Sequence, residues 1–200
     1  MRKGLIFLIV ALASLYALHH AGGLKAVRRI DIPKGQLVWS SERPARARFC
    51  VPAAFSDSSG KIVGQYKTDG NTVQGQTYRM RVSLKGDSFV IDGTWHSDNG
   101  FQQFALVNNS KVMRFGRDRR RFCRRALCKK DGRTFILQSW FPLTLDEFAE
   151  ECGKRSTEAV NLDMGSYAYG YVMRGPVKVP LALWAYFGRD KQTNWLYVGY

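Results

Sequence analysis

Residues 144–166, TLDEFAEECGKRSTEAVNLDMGS, place a helix signal and a buried-strand signal back to back, and any fold for this chain must seat both. Thr144 precedes Glu147 by the spacing of a capping box, in which the hydroxyl accepts from a first-turn amide and the carboxylate reaches back. Leu145, Phe148, Ala149 and Cys152 then recur at i, i+3, i+4 and i+7, the apolar stripe of a short amphipathic helix. Gly153 marks its expected end. Ala159, Val160, Asn161 and Leu162 read as a short buried strand that delivers Asp163 at its carboxyl end. A carboxylate there, with Gly165 just beyond it to let a ligand approach the backbone, is a place for chemistry.

The remaining pattern is one of strands between glycine turns. Residues 25–32 and 36–39 read as an opening pair around Pro33-Lys34-Gly35. Residues 61–66, 77–84 and 88–91 follow, bounded by Gly70, Gly75 and Gly86. Tyr78, Met80, Val82 and Leu84 alternate with Arg79, Arg81 and Ser83, as in a half-exposed antiparallel strand. Residues 104–107, 111–115 and 135–140 continue the series, and 167–173 and 195–200 close it. Nothing repeats at a fixed period. Two hundred residues, 45% of them hydrophobic, suit one domain with a substantial core. The expected fold class is α+β: a single strand-rich domain over residues 23–200, with a mixed sheet and few helices.

Residues 1–22 carry a different signal. Arg2 and Lys3 precede an apolar run over residues 4–18, too short to span a membrane comfortably and of the length of an export signal. His19 stands two positions before Ala21, where a cleavage site wants a small residue, so an uncleaved N-terminal membrane anchor is the alternative. The expected location is periplasmic or extracellular. The net charge of +15 predicts attraction to polyanions such as phosphorylated or anionic glycans. An exported chain seldom meets nucleic acid, so no nucleic acid is expected as a partner. Cys50, Cys123, Cys128 and Cys152 are even in number, which admits up to two disulfides, with buried free thiols as the alternative. No dinucleotide, phosphate-loop or HExxH motif occurs, and no cofactor or metal is expected.

Thr144-Leu145-Asp146-Glu147-Phe148-Ala149 followed by Ala159-Val160-Asn161-Leu162-Asp163-Met164-Gly165-Ser166-Tyr167 resembles the signature of the phosphodiester glycosidase family, T-L-x-E-x-A and then A-[LV]-N-L-D-G-G-x-S. Upstream, residues 47–57 are similar to the family's A-x-N-G-G-F-F-D segment, with Phe55 and Asp57 matching and Pro52, Ala53 and Ala54 in place of the asparagine and glycines. Arg124-Arg125-Ala126-Leu127-Cys128 before Asp131-Gly132 is similar to its R-x-A-x-G hairpin, with Arg124 on the arginine. The resemblance implies hydrolysis of a sugar-1-phosphodiester, with Asp163 and Asp57 as the carboxylates. It also implies that Arg124 clamps phosphate and that Asn161, Gly165 and Ser166 line the substrate.

Two residue types add to this list. His96, in the polar loop 93–100, is a candidate substrate contact or proton carrier, or else an ordinary surface histidine. Trp95, Trp140, Tyr167, Tyr169, Tyr171 and Trp184 can stack on sugar rings, or pack as sheet faces. The basic run over residues 114–133 suits phosphate binding or a solvated face. Met164 and Tyr167 put bulk where the family has glycine and serine, so the alternative function is a non-catalytic exported protein that binds anionic glycans or an envelope partner. Export is tested by fusing the chain to a reporter active only in the cytoplasm. The fusion should be dark, and a bright one would overturn the expectation.

Overall fold

The computed structural model describes Val10, Ala13, Ser14 and residues 26–76, 80–116, 119–164, 169–182 and 193–200. From residue 26 onward, the described residues form sixteen strands and one α-helix. The strands make three antiparallel sheets. The first runs in the order β1 (Val27–Asp31), β12 (Arg133–Ser139), β11 (Arg125–Lys130), β13 (Glu158–Leu162), β9 (Ala105–Asn108), β10 (Lys111–Val112). The second runs β15 (Val177–Pro180), β14 (Tyr171–Arg174), β3 (Phe49–Val51), β16 (Trp195–Val198), β2 (Leu37–Ser40). The third runs β5 (Asn71–Val73), β4 (Tyr66–Thr68), β8 (Gly100–Gln102), β6 (Arg81–Lys85), β7 (Ser88–Asp92).

The helix α1 (Leu145–Gly153) forms as its sequence dictates. The Thr144 hydroxyl accepts from Glu147 N at 3.2 Å, and Glu147 Oε2 accepts from Thr144 N at 2.9 Å. Leu145, Phe148, Ala149 and Cys152 face the first sheet, against Leu106, Ala126, Cys128 and Leu137. Gly153, the last helical residue, must be small, since a Cβ there would lie 2.4 Å from Val112 Cγ2. The opposite face of the same sheet, with Leu127, Ile136, Val160 and Leu162, packs on Phe49, Val51, Leu196 and Val198 of the second sheet and Val82, Phe89 and Phe101 of the third. Both faces of β11, β12 and β13 are therefore covered, which is why they read as continuous apolar runs.

Two expectations are corrected. The fold is mostly β, and no parallel pair joins named strands; the parallel contact is the isolated bridge Gly64–Gln76. A parallel neighbour needs a crossover, and α1 supplies the one described. It links β12 to β13, which run in the same direction, but β11 lies between them and bonds antiparallel to both. Secondly, β1 and β2 do not pair with each other: β1 joins β12, and β2 joins β16. β6 is also less exposed than its alternation suggests, because Ser83 is buried and its hydroxyl accepts from His96 N at 2.8 Å. Most of residues 1–22, Tyr78 and Arg79 lie outside the described residues. No described helix is long and apolar enough to cross a membrane.

The cysteines are free thiols, with Cys50, Cys128 and Cys152 buried. Cys128 Sγ donates to Ala126 O at 3.9 Å, and burial, with Cys128 beside it, pushes the Cys152 thiol up. Truncating Phe148 to alanine should destabilise the fold by about 3–5 kcal/mol, as for other fully buried phenylalanines. Thr144→Ala should cost about 1 kcal/mol. Denaturant titration reads both, and equal costs would mean that the cap rather than the packed face holds the helix.

Candidate functional site

Asp163 leaves the carboxyl end of β13 half-buried. Its amide donates to Ala53 O at 3.0 Å, and its Oδ2 accepts from Ser56 N at 3.3 Å. The 53–56 segment is clamped in turn. Asn194, 1% exposed, accepts from Ala54 N at 2.6 Å and donates to Ala54 O at 3.0 Å and Ser56 Oγ at 3.2 Å. Thr193 Oγ1 lies 3.2 Å from Ser56 Oγ. The end of β13 is thereby tied to the start of β16 through a loop more than a hundred residues upstream.

Beneath Asp163, a polar row crosses the first sheet on its inner face. Arg28, Gln138 and Arg125 sit opposite one another on β1, β12 and β11. Arg125 is fully buried, and its Nε and Nη2 donate to Gln138 Oε1 at 3.1 and 3.0 Å. Gln138 Nε2 donates to Leu181 O at 2.9 Å, and Arg28 donates to the same carbonyl. Burial, with Arg28 beside it, pushes Arg125 down to about 9, and the Asp163 carboxylate acts in the opposite direction. The group thus remains a cation at neutral pH. Gly170 makes room for it: a Cβ there would stand 3.1 Å from Arg125 Nη1 and 2.9 Å from Val51 Cγ1.

Asn161 is 6% exposed, and its Oδ1 is buried without a hydrogen-bond partner in the described structure. Gly165, Ser166, Tyr167 and Trp184 lie outside the described residues. Met164 packs against Ala182. Asp57 follows the clamped loop, but its Oδ1 is committed to its own turn, accepting from Ser59 Oγ at 2.6 Å, Ser59 N at 2.9 Å and Lys61 N at 3.0 Å. The Ser59 hydroxyl, with these amides, holds its carboxyl below the usual range. Arg124 turns elsewhere. Its Nε donates to Leu143 O and its Nη2 to Arg120 O, both at 3.1 Å. His96 sits beyond the third sheet, 2.8 Å from Asp92 Oδ2 and 3.1 Å from Thr94 Oγ1, and no described hydrogen bond or ion pair connects it to Asp163.

The basic run is partly engaged inside the fold. Arg114 pairs with Glu150 at 2.7 Å, Arg121 with Glu147 at 3.0 Å and Lys129 with Glu158 at 2.6 Å, so much of its charge neutralises α1 and the start of β13. Arg117 and Asp118 lie outside the described residues. Among the described residues no cluster of three metal-ligating side chains occurs. Sequence reasoning missed Arg125, Gln138, Gly170 and Asn194. The doubled arginine before the Ala126 strand was the available signal for the first.

A two-faced first sheet with one covering helix, packed on a second antiparallel sheet, belongs to a known class of structure. The chain is similar to the zebrafish N-acetylglucosamine-1-phosphodiester alpha-N-acetylglucosaminidase catalytic domain auto-inhibited by its pro-peptide, with a TM-score of 0.55 and 14% identity over 88% of this chain and 83% of that one. At that identity the likeness is one of fold. No protein-family description and no curated protein matches the sequence.

The Arg125–Gln138 contact is open to a double-mutant cycle. Arg125→Met alone strands the buried Gln138 Oε1 and should cost about 1–3 kcal/mol or more. Adding Gln138→Leu should recover part of that loss, a coupling of about 1–2 kcal/mol by denaturant titration. Strict additivity would show that the two side chains act independently.

Proposed function

We propose that this chain is an exported hydrolase that cleaves a sugar-1-phosphodiester in a glycan or polysaccharide, with Asp163 as its working carboxylate. The observation that carries the reading is the fully buried Arg125, paired across the sheet with Leu162, the residue before Asp163, on a fold similar to that of a phosphodiester glycosidase catalytic domain. In the reaction, water adds at the anomeric carbon, the bond from that carbon to the phosphate oxygen breaks, and the phosphomonoester departs with the electron pair. Asp163 takes the proton of the attacking water or attacks first itself. A phosphate leaving group is a weak base and needs stabilised charge more than a proton. Arg125 acts as a positioning residue beneath the end of β13, and Arg124, nearer the surface, remains the candidate phosphate clamp once it releases Leu143 O and Arg120 O. Asn161 Oδ1 offers an acceptor for a sugar hydroxyl. Asp57 is the second carboxylate, reached through its neighbour Ser56. Gly165 and Ser166 are candidate substrate contacts by the family resemblance alone, since both lie outside the described residues.

A second reading has its own observation. Met164 stands where the resembled family has glycine and packs on Ala182, which favours a non-catalytic glycan binder on the same scaffold. Asp163→Asn separates the two. The variant keeps the side-chain shape, so thermal unfolding should change little, while turnover of N-acetylglucosamine-1-phosphodiesters and related diesters should fall by a factor of about 10² to 10⁴. Equal turnover by parent and variant would make Asp163 structural. No turnover by the parent on any diester would leave the binder reading standing.

A further inference from the structure

The outer face of the second sheet carries a pocket that the hydrolase reading does not use. It is an open groove of about 490 Å³ lined by Arg46, Tyr171, Met173, Lys178 and Tyr200, with Ala45 and Ala47. The strands that build it alternate. Phe49, Val51, Val172 and Leu196 point into the core, which leaves Cys50, Tyr171, Met173, Trp195 and Tyr197 on the other face. Tyr169, Tyr171 and Trp195 pack there as one aromatic cluster, the two tyrosine rings 5.8 Å apart.

Cations crown these rings. Lys178 Nζ lies 3.9 Å from the centre of the Tyr171 ring and 5.7 Å from that of Tyr169, and the Arg43 guanidinium lies 5.7 Å from that of Trp195. Among the described residues neither Arg46 nor Lys178 has a carboxylate within ion-pair distance, in contrast to Arg114, Arg121 and Lys129 of the basic run. A ring face holds an ammonium without cancelling its charge, so the positive field is directed into the pocket. Tyr200, 77% exposed, gives the open side a flat apolar surface.

We propose that this pocket is a second carbohydrate site, for a pyranose bearing an anionic substituent. Its volume suits one or two sugar rings and lies within the usual range for small-ligand sites. Lys178 and Arg46 receive the carboxylate or phosphate, and Arg46 can do so through two parallel bonds. Tyr200 stacks on the apolar face of the ring. The Tyr171 hydroxyl, which burial pushes up to about 12, stays protonated and donates to a ring substituent. None of its lining residues holds Asp163, so the site would retain an anionic polymer on the protein whether or not Asp163 cleaves it.

Calorimetric titration of the whole chain at physiological ionic strength tests the site. The probes are a short oligogalacturonate, a mannose-6-phosphate oligosaccharide and a neutral maltooligosaccharide of equal length. The two anionic probes should bind and the neutral one should not; whichever anionic probe binds tighter identifies carboxylate or phosphate as the preferred group. Lys178→Glu and Arg46→Glu should each weaken binding by about tenfold or more, the worth of a charge-assisted contact. Tyr200→Ala should weaken it less. Arg133→Glu, an equal charge change at an exposed position of the basic run, should leave it unaltered beyond its small contribution to the overall field. Equal losses from Arg133→Glu and Lys178→Glu would reduce the effect to diffuse attraction by a +15 protein and overturn the proposal, as would tight binding of the neutral probe or saturable binding of neither anion. Asp163→Asn should reproduce the parent's titrations, with the two anionic probes binding and the neutral one not, which separates failure of this site from failure of the hydrolase reading.

Discussion

A guanidinium sealed between two sheets constrains everything around it. Removing an ion from water costs several kcal/mol even after the protein relaxes, and Arg125 meets that cost with Gln138, with Asp163 nearby and with close backbone at Gly170. Each partner fixes a piece of the fold. Gln138 sets the β11–β12 register, because a slip of one residue would turn Arg125 into the apolar layer beneath α1. Gly170 brings the start of β14 close enough to cover the charge, and Asp163 draws the end of β13 to the same place. The candidate site is thus the upper surface of a structural necessity, and its carboxylate has a fixed electrostatic neighbour before any ligand arrives.

The remaining charge divides into two populations with different physics. Along the 114–133 run, Arg114, Arg121 and Lys129 meet the acids of α1 and β13, so a segment that looks like a polyanion-binding stretch spends part of its charge on internal pairs. On the second sheet, Lys178 lies over the Tyr171 and Tyr169 rings, which hold it in position while leaving its charge to act outward. Positive charge counted along a sequence therefore overstates the first region and passes over the second.

The helix and β13 were legible because their signals are local. A capping hydroxyl, an apolar stripe and a short buried run each act within a few residues, and the helix and the strand appear at the expected places. The partition into three sheets was not legible, because it depends on pairings such as Trp195 with Ser40 that no local pattern encodes. The choice between Arg124 and Arg125 failed for a related reason. Where helix and sheet cover opposite faces of β11, Ala126 and Cys128 look as buried as Leu127, and alternation gives no sense of which side holds the arginine. The resemblance placed weight on Arg124, and parity placed Arg125 inside. The basic pocket was invisible for want of β3 and β15, two short strands with no sequence period of their own.

The strand order of the second sheet has a consequence for how the chain reaches this state. β2 and β3 lie close in sequence, yet β16 is inserted between them, so neither bonds to the other in the native sheet. Until residues 195–198 have been made and brought back across nearly the whole chain, both strands keep a bare edge toward the position that β16 will fill. Closing so long a loop before any contact rewards it makes folding slow, and unpaired apolar edges invite strands from other molecules. A nascent or shortened chain lacking β16 therefore resembles a sheet with its central plank missing, and it depends on a holding factor or rapid completion to stay soluble.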